Sequence, residues 1–344
     1  MKRTGPGRRM AAAALVGLSV VVAACSGSGA PEPGPPALGG TAIPLSVGQS
    51  KSDFRATIET SIGGQTQTLL FDTGSTGLSV FTASVPSSVA AMTGPSFQEA
   101  FAGGVLLSGV IISTPLEVAG IATSGPVFIR LVQSATCDSG VPDCAAKDGL
   151  EAFASSIGVD GIFGAGLWSV DSAFSPLVQL SSGVPSSIAV TWSGSVGAVT
   201  LDPVLATAPV ANLQMPAASP ATLANGANAW NNLAVPICWQ IGSASASCTA
   251  TALDTGASAM SFPIGFPGGP TTNVKEFPSG QRITGAVSDD SAPFYEFTTG
   301  KKLGTDLATV IPGQSNVDSG LQFFDEFIVV FSLTSGSVLL YPSN

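Results

Sequence analysis

Leu69-Leu70-Phe71-Asp72-Thr73-Gly74-Ser75 is an apolar run that ends on an acid and turns at once through a glycine. The design returns 182 residues later as Ala252-Leu253-Asp254-Thr255-Gly256-Ala257. A carboxylate carried inward on a buried strand is costly unless something uses or compensates it. One Asp-Thr-Gly is a common turn sequence. Two copies, one in each half of the chain and each behind an apolar strand, imply an internal repeat that brings Asp72 and Asp254 together. A carboxylate pair is the simplest machinery for splitting a peptide bond with water and no metal.

The pattern around both copies reads as strands. Residues 54–60 alternate apolar and polar, Ile62-Gly63-Gly64-Gln65 reads as a turn, and residues 67–72 become fully apolar as they approach the acid. Residues 101–118 read as a hairpin with Gly103 and Gly104 near its tip. Further strands are expected at 188–192, 198–201, 233–241, 248–254, 327–331 and 338–341. Long helical periodicities are missing, and the 41 Gly and 25 Pro among 344 residues fit a chain of many short strands and turns. The expected fold class is therefore all-β. Between 202 and 228 the composition turns to Ala, Pro and Asn, which puts the boundary between an N-terminal β lobe, 41–205, and a C-terminal β lobe, 206–344.

Composition removes whole classes of chemistry. The chain has no histidine, which excludes Ser-His-Asp and Cys-His nucleophile systems and His-ligated zinc. No metal and no cofactor are expected. The formal charge of −10 argues against a nucleic-acid partner. Serine runs such as Ser186-Ser187 have no base to serve them and read as turns.

The first residues read as a targeting segment. Lys2, Arg3, Arg8 and Arg9 form a basic region, and residues 11–24 an apolar one too short to span a bilayer comfortably. The segment closes as Val22-Ala23-Ala24-Cys25, similar to the lipobox of bacterial lipoproteins, in which the cysteine is lipidated and becomes the new N-terminus. Residues 1–24 are thus expected to be a signal peptide and 25–40 a flexible tether, with Cys25 holding an extracytoplasmic body to the bacterial envelope. The tether would reach roughly 45 Å at about 3 Å per residue. Cleavage before Cys25 removes four cations and leaves a body at −14. The other four cysteines lie in two short-range pairs, and an exported chain is expected to join them as Cys137–Cys144 and Cys238–Cys248.

Two carboxylates about 3 Å apart share one proton, because both cannot ionise comfortably. The ionised partner can then deprotonate water while the neutral one protonates the carbonyl or the leaving amine. Gly74 and Gly256 permit close backbone approach beside each acid, and Thr73 and Thr255 can hydrogen-bond across to hold the two loops. Ser75 Oγ can donate to Asp72. Ala257 has nothing to donate to Asp254, so the second acid has less support as an anion.

These motifs resemble the pepsin-like aspartic proteases, and the resemblance extends patchily over residues 41–344. Residues 54–75 look like that family's first strands, Ala100-Phe101-Ala102-Gly103-Gly104 like its flap, and Val159-Asp160-Gly161-Ile162-Phe163-Gly164 like the segment that frames the first catalytic loop. Bacterial members are the most similar in their Ala/Gly-rich composition. The resemblance implies a monomeric, bilobal endopeptidase. Its extended polypeptide substrate would lie under the hairpin that carries Phe101, Gly103 and Gly104, with apolar residues around the scissile bond. There are departures. Phe101 stands where the family has a flap tyrosine, and Ser79 where many relatives have the tryptophan that supports it. The glycine of the second framing segment is expected at Gly320. The rival reading is a surface lipoprotein on the same fold that binds peptide or protein without turnover. Phe97, Phe163 and Phe174 read as core. Trp168, Trp192, Trp230 and Trp239 read as core or interface, and Asp138, Asp143, Asp289 and Asp290 as solvated.

Overall fold

The computed structural model describes residues 38–50, 53–101, 103–271, 276–311 and 313–343. The signal peptide, Cys25 and all but the last three residues of the expected tether lie outside them. Among the described residues strand accounts for 49% and helix for 8%, so the protein is all-β. Among the described residues no helix is long and apolar enough to cross a membrane.

Local pattern explains the first strands. In Asp53–Ile62, Ala56, Ile58, Thr60 and Ile62 are buried while Thr57, Glu59 and Ser61 are not, which is the period of two that a half-buried strand requires. Gly63 and Gly64 both take positive φ, +60° and +81°, as a two-residue hairpin turn demands. The chain returns as Gln65–Asp72, buried without interruption from Leu69 to Asp72. Thr76–Phe81 is buried at every position, the signature of a strand covered on both faces.

An earlier strand, Gly39–Ser50, begins with Gly39 paired to Val204, so the folded part takes in the last two residues assigned to the tether. A fifteen-stranded sheet runs from Ala211–Gln214 at one end to the hairpin arm Ser96–Ala100 at the other, and a seven-stranded sheet gathers strands from Val235–Ile241 to Val317–Asp318. The two expected halves share the larger sheet. Phe327–Ser332 pairs antiparallel with Ser187–Ser193, and Ser337–Pro342 carries Ala211–Gln214. Residues 211–214 and 217–222, where a plain boundary was expected, are strands. Their Ala-rich sequence hides the pairing.

At the joint, Trp192 is fully buried and stacks on Phe324 of the short helix Gln322–Glu326, ring centroids 5.5 Å apart. In the second sheet Trp239 meets Phe262 and Tyr295 edge-on. Phe97, Phe163 and Phe174 are buried, as expected. Both expected disulfides are present. Cys137–Cys144 closes a loop, and Cys238–Cys248 joins residues directly opposite on adjacent strands.

Trp192→Ala should cost about 3–5 kcal/mol, the usual loss for emptying a buried aromatic site. Urea unfolding measures it, and a cost under about 1 kcal/mol would contradict the stacked, solvent-free position.

Candidate active site

The geometry of the acids follows from how each loop is framed. Asp72 ends its strand, Thr73-Gly74-Ser75 turns, and Thr76–Phe81 leads away. Gly161–Ala165 lies between these two strands, parallel to the first (Gly164 opposite Asp72) and antiparallel to the second (Gly164 opposite Gly77). A Cβ on Gly164 would meet the Gly77 carbonyl at 2.4 Å and Thr76 at 2.5 Å, so only glycine lets the three strands close up here. The second copy repeats the arrangement. Val317–Asp318 lies parallel to Ser247–Ala252 and antiparallel to Met260–Pro263. Gly320, the expected framing glycine, takes φ +59°.

Four hydrogen bonds then lock the two loops to each other. Thr73 N donates to Thr255 Oγ1 and Thr255 N to Thr73 Oγ1, both at 3.0 Å. Thr73 Oγ1 donates to the Leu253 carbonyl at 2.7 Å, and Thr255 Oγ1 to the Phe71 carbonyl at 2.8 Å. Both threonines are buried. Asn232 adds a strut that sequence reasoning missed. Its Nδ2 donates to the Thr73 carbonyl at 2.7 Å, and its own carbonyl accepts from Leu253 N at 3.1 Å.

So held, each acid packs on the other's glycine. A Cβ on Gly74 would fall 2.3 Å from the Asp254 carboxyl carbon, and one on Gly256 2.5 Å from that of Asp72. Gly74 N donates to Asp72 Oδ1 at 2.7 Å and Gly256 N to Asp254 Oδ1 at 2.6 Å. The two carboxyls hydrogen-bond to each other. Burial raises both pKa values first, and repulsion from a neighbouring acid adds to it: Asp254 acts on Asp72, and Asp318 on Asp254. Ser75 pulls Asp72 back toward the anion, although its Oγ has no partner in full hydrogen-bonding geometry. Ala257 offers only backbone, its carbonyl accepting from Leu321 N at 2.8 Å.

A cavity of about 510 Å³ opens on the pair, lined by Asp72, Asp254, Asp318, Glu99, Phe101 and Trp168 among others. The hairpin beside it has the arms Ser96–Ala100 and Val105–Thr114, not 101–118. Phe101 therefore begins the tip, where its N donates to the Val105 carbonyl and its carbonyl accepts from Gly104 N, both at 2.9 Å. Gly103 has open space around it. A Cβ on Gly104 would strike Val141 of the disulfide loop. Asp138 N donates to the Gly104 carbonyl at 2.7 Å, so that loop braces the tip.

Behind the hairpin lies an ionic cluster that no residue pattern announced. Arg130, 1% exposed, donates from Nε to Asp171 at 2.9 Å, from Nη1 to the Thr76 carbonyl, and from Nη1 to Glu99 at 3.4 Å. Ser79 Oγ donates to the same Glu99 oxygen at 3.5 Å. Ser79 thus reaches the hairpin directly. Burial pushes Glu99 up to about 7, against the pull of Arg130. Trp168, expected in the core or at an interface, lines the cavity instead. Among the described residues no group of His, Cys, Asp or Glu is arranged to hold a metal ion. Comparison with known proteins gives no match to a family model and none to a curated protein.

Thr73→Val and Thr255→Val each remove two of the interlocking bonds and leave a buried N–H unmet, at about 1–3 kcal/mol apiece. Because the residues share partners, the double variant should deviate from additivity by more than about 0.5 kcal/mol in chemical unfolding. Strict additivity would show the lock to be absent.

Proposed function

We propose that the chain is an aspartic endopeptidase on the bilobal fold of the pepsin-like proteases, exported and held at a bacterial envelope through a lipidated Cys25. The observation that carries this reading is the hydrogen-bonded Asp72–Asp254 pair, opening on a cavity and fixed by reciprocal threonine bonds. Two disulfides suit an oxidising compartment.

The chemistry needs one proton on the pair. The ionised carboxyl takes a proton from water as the water oxygen attacks the scissile carbonyl carbon. The protonated carboxyl gives its proton to the carbonyl oxygen, and a tetrahedral diol forms. On collapse the C–N bond breaks, the departing nitrogen takes the first proton, and a diol hydroxyl returns the second. The pair ends with the single proton it began with. An extended polypeptide would pair with the hairpin by backbone hydrogen bonds, and Phe101 would cover an apolar side chain. No nucleic-acid partner, metal or cofactor enters the scheme, and the protein would act as a monomer.

A second reading, peptide binding without turnover on the same fold, draws on Phe101. A phenyl ring at the hairpin tip lacks the hydroxyl that a tyrosine would bring. Incubation with a mixed peptide library, with and without a statine-type transition-state mimic, separates the two. Hydrolysis blocked by the mimic supports the protease, and binding without cleavage supports the alternative.

Asp72→Asn and Asp254→Asn should each lower kcat by about 10³-fold or more while the unfolding midpoint is kept. Full turnover in either variant rejects the mechanism. Ala257→Thr places a donor beside Asp254 and stabilises its anion, so the acidic limb of the kcat/KM profile should move to lower pH. A limb that stays or rises shows that the added hydroxyl does not reach the acid.

A further inference from the structure

Asp318 has no counterpart in the first half of the repeat. Ile162 stands opposite Leu70, two residues before Asp72, and Asp318 stands opposite Ala252, two residues before Asp254. The second copy therefore carries an acid where the first carries a buried isoleucine. That acid hydrogen-bonds to Asp254, accepts from Gly320 N at 2.9 Å, and lines the cavity with Asp72 and Asp254. The three carboxyls form a hydrogen-bonded chain, Asp72 to Asp254 to Asp318.

We propose that Asp318 is a positioning residue that fixes the pH range over which Asp72 and Asp254 hold their proton, extending it toward neutrality. This rests on the hydrolytic reading of the pair. The argument is a proton count. Each carboxyl–carboxyl hydrogen bond needs a proton, so the chain of three holds two protons and one negative charge, the same charge as an ordinary pair with one. Ionisation of Asp318 places a second anion against Asp254, which makes the proton on the pair harder to remove. The surrounding charges leave this effect uncancelled. The groups that share the cavity are Asp72 from one strand end, Glu99 from the hairpin, Asp171 from the loop after Ala165, and Arg130 from the strand Val127–Cys137. Arg130 is the one cation among the described lining residues, and it is committed to Glu99, Asp171 and the Thr76 carbonyl. Burial raises Asp318 to about 7, and Asp72 adds to the shift.

The stability consequence has a definite sign. An acid whose folded pKa lies above its unfolded value binds its proton more tightly when folded. Its contribution is complete below about pH 4 and is lost as pH rises toward about 7. Removing Asp318 removes one such group.

The test compares the full chain with Asp318→Asn and Asp318→Ile. It measures kcat/KM on a fluorogenic peptide against pH, statine-type inhibitor affinity against pH, and the unfolding midpoint against pH. In both variants the alkaline limb should move acidward by about one pH unit or more, a tenfold relative loss near pH 7. The fall in midpoint between about pH 4 and 7 should become shallower. Asparagine is nearly isosteric and keeps the experiment decisive if isoleucine does not fold. An active wild type whose profile and midpoint slope superimpose on those of Asp318→Asn overturns the proposal alone. A wild type that neither cleaves peptide nor binds the inhibitor at any pH overturns the hydrolytic reading, and this proposal with it.

Discussion

Thr73 and Thr255 each give a backbone N–H to the other's hydroxyl, and each hydroxyl passes its own hydrogen to a carbonyl beyond. Everything at the site depends on this exchange. Acids drawn together in a desolvated place repel whenever more than one is charged, and a loop free to move would relieve that repulsion by retreating. The threonines deny retreat. Their bonds lie where water does not compete, so letting go would strand six polar groups at about 1–3 kcal/mol each. Gly74 and Gly256 supply the other half of the condition, since either side chain would occupy the space of the opposing carboxyl. The lock holds the loops together and the glycines let them meet.

The same frame is built twice but furnished differently. In both copies a short strand ending near a glycine fits between the strand that delivers the acid and the one that leaves it. The first copy fills its frame with Ile162 and Phe163, both buried among apolar neighbours. The second uses Asp318 and Ser319, and Ser319 Oγ accepts from Asp254 N at 3.1 Å. Ser75 attends the first acid, and Ala257 leaves the second without a hydroxyl. A symmetric pair would divide its proton evenly. Here the surroundings of the two carboxyls differ on both sides, and the second belongs to a longer hydrogen-bonded chain.

Much of this was legible from residue patterns, and what was not has a physical reason. The paired Asp-Thr-Gly turns, the alternating strand before the first, the Gly63-Gly64 turn and both disulfides are local signals, and local signals survive in sequence. The sharing of one sheet between the two halves was hidden, because a pairing such as Ser187–Ser193 with Phe327–Ser332 joins segments far apart with no complementary code. The hairpin was placed five residues late. Gly103 and Gly104 mark its tip, but the polar arm 96–100 shows no strong alternation. Nothing in the residue pattern singles out Arg130 or Glu99, and only three-dimensional contact pairs them. Asp318 was within reach: once Gly320 is set against Gly164, the acid two residues earlier stands out against Ile162.

The hairpin beside the acids is held by contacts of two kinds. Its position comes from two sources. Behind the arm Ser96–Ala100, Arg130 ties Glu99 to Asp171 and to the carbonyl of Thr76, the residue that follows the first acid's turn. At the tip, Gly104 lies against Val141 and its carbonyl takes a hydrogen bond from Asp138, within a loop closed by Cys137–Cys144. The hairpin is thus fixed along one arm and at its tip, with Phe101 between the two and lining the cavity. The arm's hold is ionic, and the tip rests by a hydrogen bond and packing on a loop closed by a disulfide. They therefore respond to different conditions: protonation of Glu99 weakens the first, and reduction of the disulfide loosens the second. Through Arg130 the arm that carries Glu99 is tied to the turn that presents Asp72.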